Sequence, residues 1–216
     1  NAIKVREARP SLTEHVKQGG VMVIPLLILG VLAFFLALRK AFDLNRLVVK
    51  MDSETRSTVQ SVCNKNEIDV LRELQGSPQP LSSLLSAGIQ HRKASREHVE
   101  EILHEHVLAV VPRLERSLGI LAVFGGVAPL LGLLGTVTGM IHTFQLVTIF
   151  GSGNAKTLSG GISEALVTTE IGLIIAIPIL LVHAFLARKA KNLLGELEQT
   201  GVSLTNLIKS PVADSE

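Results

Sequence analysis

A few hydroxyl and carboxyl groups interrupt two long apolar stretches in the C-terminal half of the chain. Thr136 and Thr143 lie two helical turns apart in the first stretch. Glu164, Thr169 and Glu170 lie where the second stretch begins. Carboxylates at membrane depth are costly, and they usually face a bundle interior or a water-filled cavity that conducts ions or protons. A threonine can instead bond to its own helix backbone, so the hydroxyls alone decide little.

Small residues and prolines accompany these polar groups. Gly132, Gly135 and Gly139 follow helical spacing and leave one helix face nearly bare, which favours close packing against another membrane helix. Pro129 and Pro178 lie one in each stretch and predict a tolerated kink or a hinge point.

The composition excludes several other classes of function. The chain has 47% hydrophobic residues but no Trp, no Tyr and seven Phe, a pattern typical of membrane helices. No basic stripe interleaved with aromatics indicates nucleic-acid binding. No combination of residues indicates covalent catalysis, a metal site or a cofactor, so we expect neither an enzyme nor a metal protein. The single cysteine, Cys63, rules out an intrachain disulfide.

Three uncharged apolar segments predict three transmembrane helices in an all-α membrane protein. The first, residues 20–38, spans about 19 residues, or roughly 28 Å of helix, close to the thickness of a hydrocarbon core. The second, 118–150, is longer than a bilayer is thick, and the third is fully apolar over 171–187. A helical pattern in residues 98–116 predicts a helix that runs on into the second span, with Pro112 as a possible kink.

The basic residues predict the topology. Lys and Arg cluster after the first span, before the second and after the third, whereas the connection between the second and third spans holds only Lys156. By the positive-inside rule, the N-terminus is then outside and the C-terminus cytoplasmic. The predicted segments are an extracytoplasmic amphipathic segment (1–19), transmembrane helix 1 (20–38), a cytoplasmic helical domain (39–117), transmembrane helix 2 (118–147), an external turn (148–160), transmembrane helix 3 (161–187) and a cytoplasmic C-terminal helix (188–216).

Two runs in these spans resemble the MotA/TolQ/ExbB proton channel family, and most closely its ExbB and TolQ branch. They are APLLGLLGTVTGM at 128–140 and GGISEALVTTEIGLIIAIP at 160–178. The resemblance covers roughly residues 100–195, and the start at Asn1 is similar to a longer ExbB-like protein truncated at its N-terminus. It implies three transmembrane helices with long cytoplasmic helical extensions, assembled as a ring that is usually a pentamer.

The resemblance also implies partners and site residues. The ring encloses transmembrane helices of an ExbD- or TolR-type partner, which supplies a protonatable Asp and acts on a TonB-like protein from the bacterial inner membrane. Thr136 and Thr169 match the family's lining threonines, and Glu164 matches its glutamate at the outer end of the third span. Pro129 and Pro178 match its prolines. We therefore predict a proton pathway lined by Thr136, Thr143, Glu164, Thr169 and Glu170, although Glu170 stands where some relatives have a small apolar residue.

Several alternatives stay open at this point. The chain could have a TolQ-like role in envelope integrity or a MotA-like role in a motility stator. It could also be a non-conducting helical scaffold, in which the glycines pack and the polar groups satisfy one another.

Overall fold

The regular structure of the chain is helical wherever the structure describes it. The computed structural model describes residues 12–64, 80–151 and 155–209, and no strand occurs within these ranges. The helices, in chain order, are α1 (Leu12–Gln18), α2 (Val23–Asn64), α3 (Pro80–Gln90), α4 (Arg96–Glu115), α5 (Leu118–Phe150) and α6 (Ala155–Lys209).

Three helical segments are long and apolar enough to cross a membrane: Val23–Leu47, Arg96–Ile149 and Ser159–Asn206. Large apolar side chains point outward along them, including Phe34, which is 68% exposed, and Leu181, which is 67% exposed. A surface of this kind is stable in lipid rather than in water. The prediction of an all-helical chain with three such helices is confirmed for the described residues, and the division into spans and the ring stay predictions.

The chain divides into two compact units. The first comprises the described residues up to Leu38 together with Gly119–Ala184, so it contains α1, the start of α2, most of α5 and the first half of α6. Its buried cluster consists of Val23, Leu26, Ala128, Val167, Ile171 and Ala176, with Val16, Leu29, Leu131 and Ile175 packed against it. The candidate site lies in this unit.

The second unit comprises Arg39–Leu118 and the chain from Phe185 onward. Within it α3 packs against α4, and a Cβ added at Gly88 of α3 would lie 2.5 Å from Leu204 Cδ2 of α6 and 3.4 Å from Leu103 Cδ2 of α4. Arg96 Nη2 also donates to Asn206 Oδ1 at 2.9 Å. Three helices therefore meet around a leucine-rich core here.

The expected continuous helix from residue 98 into the second span is wrong. α4 ends at Glu115, and Ser117 has φ 73° before α5 begins at Leu118. The left-handed conformation breaks the helical hydrogen-bond ladder, and Lys40 Nζ compensates by donating to the Arg113 carbonyl at 3.1 Å. The break therefore follows Pro112, the predicted kink, by one turn. Residues 1–11 of the predicted extracytoplasmic segment and residues 65–79 of the predicted cytoplasmic domain lie outside the described residues.

Candidate functional site

α5 and α6 approach each other closely through the small residues of both helices. A Cβ added at Gly132 would lie 3.1 Å from Thr169 Cα, and one added at Gly139 would lie 3.1 Å from Ala165 Cβ. From the other side, a Cβ at Gly172 would lie 2.9 Å from the Ala128 carbonyl oxygen. Backbone therefore lies against backbone, as small faces permit in membrane helices.

Two threonines fill the remaining depressions of this interface. Thr168 lies over Gly135, where an added Cβ would be 2.7 Å from Thr168 Cβ, and Thr143 lies over Gly161, where an added Cβ would be 2.0 Å from Thr143 Oγ1. Both threonines are fully buried. Thr143, predicted to line a pathway, therefore lies inside the α5–α6 contact of a single chain, with its hydroxyl donating to the Gly139 carbonyl at 2.8 Å.

Thr136 and Thr169, the two threonines matched to the family's lining, have different surroundings. Thr136 Oγ1 donates to the Leu133 carbonyl of its own helix at 2.6 Å on the exposed side of α5. Thr169 Oγ1 donates across to the Gly132 carbonyl of α5 at 3.1 Å and lies 3.4 Å from the Ala165 carbonyl. Each hydroxyl has a carbonyl acceptor for its proton, and its oxygen keeps acceptor capacity for a further donor.

The two predicted carboxylates face the N-terminal segment rather than α5. Glu164 covers Gly20, where an added Cβ would lie 1.7 Å from Glu164 Oε1, and Gly20 has φ 66°. Glu170 Oε2 lies 3.0 Å from His15 Nε2 of α1. The five predicted lining residues are thus divided between the open side of α5, the α5–α6 contact and the contact of α6 with the N-terminal segment.

The two prolines lie inside uninterrupted helices. Pro129 belongs to α5 and Pro178 to α6. Pro178 lines an apolar groove of about 360 Å³ between α2 and α6, together with Gly30, Phe34 and Ile175. The side chains that line the groove are apolar. Hinge motion at either proline stays a prediction.

Sequence reasoning missed Thr168 and His15 as site residues. Thr168 Oγ1 donates to the Gly19 carbonyl at 2.8 Å and so connects α6 with the turn before α2. Thr168 follows Glu164 by four residues and shares its helix face, and this spacing could have identified it as a site residue. His15 lies 155 positions from its partner Glu170, and no local pattern reveals such a contact.

The chemistry available at this site is proton transfer and hydrogen bonding. α5 carries no Asp, Glu, Lys or Arg, and its polar side chains are threonine hydroxyls, which both donate and accept, together with His142 and Gln145. Within the described residues, no group of three or more His, Cys, Asp or Glu side chains could hold a metal ion. α5 carries no carboxylate, so a titrating carboxyl group on its open side would have to come from another element or another molecule.

The chain is similar in sequence to known proteins. A model of the MotA/TolQ/ExbB proton channel family matches residues 77–199. The putative biopolymer transport protein ExbB-like 1 of Synechocystis sp. is 33% identical over 182 residues, which cover 82% of this chain and 71% of that protein. The biopolymer transport protein ExbB of Neisseria meningitidis is 28% identical over 193 residues, 83% of this chain and 86% of its own. That of Salmonella typhimurium is 34% identical over 105 residues, 49% of this chain and 43% of its own.

Proposed function

The chain belongs to the MotA/TolQ/ExbB proton channel family, and we propose that it is the ring subunit of a proton-driven complex of the ExbB type. The names of its relatives describe biopolymer transport, and three helices are apolar enough to place it in a membrane. Nothing in the described site supports catalysis of a covalent reaction. The proposed role is transport, driven by protons that cross the bacterial inner membrane.

The observation that carries the proposal is a small set of hydroxyl groups on α5 and on the part of α6 that packs against it. α5 has no charged residue, and its Thr136 faces the exposed side of the helix. Thr169 lies beside it on the packed α6, bonded to the α5 backbone. The two helices therefore present one hydroxyl in their mutual contact, at Thr169, and another on the side of α5 that is open in the single chain, at Thr136.

A hydroxyl can respond to the protonation state of a partner carboxyl group. A protonated carboxyl donates a hydrogen bond, which the threonine oxygen accepts while its own proton stays on a backbone carbonyl. An ionised carboxylate only accepts, and the threonine proton then rotates toward it. The two forms thus favour different contacts, so each protonation event biases the position of the partner against the ring.

The proposed assembly follows the family. Several copies, usually five, form a ring around transmembrane helices of an ExbD- or TolR-type partner that contributes the titrating Asp. A proton that crosses a potential of 100 mV releases about 2.3 kcal/mol. Repeated protonation would convert that energy into motion of the partner and, through a TonB-like protein, into transport at the outer membrane.

The contacts within the first unit support the proposed topology. His15, just before the first apolar segment, contacts Glu170 near the start of the third, and Gly19 accepts a bond from Thr168. The leading ends of the first and third spans therefore lie on one side of a membrane, as three spans with a returning second helix require. The positive-inside rule places that side in the periplasm and the C-terminus in the cytoplasm.

The test is proton flux in reconstituted vesicles. Vesicles that contain the chain and an ExbD-type partner should acidify under an applied potential, and vesicles with the chain alone or the partner alone should stay near the leak of empty vesicles. Flux equal to the leak in the presence of both proteins would contradict the proposal.

A second candidate, a non-conducting scaffold, is favoured by the packing itself. The contacts of Gly132, Gly135 and Gly139 with α6 explain the small face without any pathway. In that case the chain would assemble with its partner, and no proton flux would accompany assembly. The same vesicles therefore separate the two candidates. A TolQ-like or a MotA-like role would also give proton flux in such vesicles, but with a different partner protein.

A further inference from the structure

Three consecutive residues of α6 bind the N-terminal segment, which comprises α1 and the turn before α2, and α5. Thr168 donates to the Gly19 carbonyl in the turn between α1 and α2. Thr169 donates to the Gly132 carbonyl of α5. Glu170 pairs with His15 of α1 through Oε2 and Nε2, 3.0 Å apart. The N-terminal segment and α5 are therefore held at adjacent positions on α6.

α1 depends on this attachment. It has seven residues, and an isolated helix of that length is not stable in water, because nucleation costs more than so few hydrogen bonds return. Its Val16 packs against the buried cluster of the first unit, and the turn that follows it is closed by Gly20 beneath Glu164. Beside these packing contacts, the pair of His15 and Glu170 joins α1 to α6 through polar side chains.

Glu170 needs such a partner. It directly precedes the stretch 171–187, which contains no Asp, Glu, Lys or Arg and in which a carboxylate without a partner is costly. With a protonated imidazole the contact is a charge-assisted hydrogen bond, which is roughly twice as strong as a neutral one. Other charged groups nearby are Glu14 and Lys17 on α1 and Glu164 on α6, whereas α5 and the first turns of α2 carry none.

We propose that His15 and Glu170 form a latch that holds α1 on α6 and thereby fixes the α6 backbone next to Thr169. Glu170 is then a positioning residue rather than a lining residue of the proton pathway. The effect of the latch on flux rests on the proposed function. The latch itself does not, because it concerns only the docking of α1.

The first test is amide hydrogen exchange of residues 12–18 in the purified protein. His15→Leu and Glu170→Gln should each raise the exchange rate of this segment about threefold to tenfold, the range for loss of a partly exposed charge-assisted pair. His15→Gln keeps a hydrogen-bond donor and should raise the rate less than His15→Leu. The reversed pair, His15→Glu with Glu170→His, should restore slow exchange. His142→Leu, at an exposed position of α5, is the matched control and should leave the segment unchanged.

Two results would overturn the latch. One is exchange of residues 12–18 that stays at the wild-type rate in both His15→Leu and Glu170→Gln. The other is fast exchange in the reversed pair equal to that of the single variants, which would show that side-chain packing and not pairing matters. Either result stands whether or not the protein conducts protons.

The second test is proton flux with the partner present. Glu170→Gln should lower flux about threefold or more, and the reversed pair should recover it. Full flux in Glu170→Gln, in a protein whose α1 exchanges fast, would overturn the positioning role. Absence of flux in the wild-type complex would count against the proposed function, and the exchange data would still decide the latch.

Discussion

At Gly135 the α5–α6 contact has no room for a side chain, since an added Cβ would lie 2.3 Å from Thr168 Cγ2 and 2.7 Å from Thr168 Cβ. Gly126, nine positions earlier on the same helix, has nothing within 4 Å of an added Cβ. Both glycines belong to α5, but Gly135 faces Thr168, whereas the space beside Gly126 is open.

Gly135→Ala should therefore destabilise the protein by roughly 1–3 kcal/mol, the usual cost of overpacking a tight contact. Gly126→Ala should be neutral or slightly stabilising, because alanine is the better helix former. Thermal unfolding in detergent, followed by circular dichroism, measures both. Equal midpoints for the two variants would contradict the packing described here.

The sequence predicts the bare face of α5, because glycine spacing identifies which residues share one side of a helix. It does not identify Thr168 as the group that fills it. Periodicity defines faces, and the register between two helices depends on how all of their side chains pack together. For the same reason the sequence identifies Glu170 as a candidate but does not identify His15 as its partner. Their contact depends on how α1 packs against α6 in the first unit.

At the scale of helices, the break between α4 and α5 differs most from the sequence prediction. Pro112 predicts a kink, yet α4 continues through it to Glu115, and Ser117 adopts φ 73°. Proline removes one hydrogen bond and often only bends a helix. A left-handed residue ends the ladder, and serine carries no sequence signal for that conformation, which is commonest in glycine.

Ser117→Gly should stabilise the protein by about 1 kcal/mol, because glycine adopts a positive φ without steric cost. Ser117→Val should destabilise it by about the same amount or more, since a β-branched side chain is strained there. Chemical denaturation of the two variants and of the wild type measures the order of their stabilities. A valine variant as stable as the glycine variant would show that residue 117 is not left-handed in solution.

At the scale of the whole molecule, the sequence predicts more of the structure than it does at the scale of single residues or of helices. Long uncharged segments and the two motif runs gave the helical class, the number of apolar helices and the family, because these depend on composition and order along the chain. The five predicted lining residues lie on the open side of α5, in the α5–α6 contact or where α6 meets the N-terminal segment. Which of these places each residue takes depends on how the helices pack. The number of copies in the proposed ring and the face that meets the proposed partner are properties of an assembly, and the sequence of one chain does not determine them.

The central claim is that Thr136 and Thr169 serve proton transfer and not packing. The most direct measurement is proton flux in vesicles that hold the chain with an ExbD-type partner, comparing wild type with Thr136→Val and Thr169→Val combined. Thr138→Val is the matched control, because Thr138 lies on the same helix and, like Thr136, donates to carbonyls of that helix, Leu134 and Gly135, but is not one of the two threonines matched to the family's lining. The mass of each purified complex confirms assembly.

The double variant should assemble and lose flux by about tenfold or more, since a hydrogen bond to a charged group contributes roughly 1.5–3 kcal/mol. The Thr138→Val complex should conduct as wild type does. Wild-type flux in the assembled double variant would contradict the account.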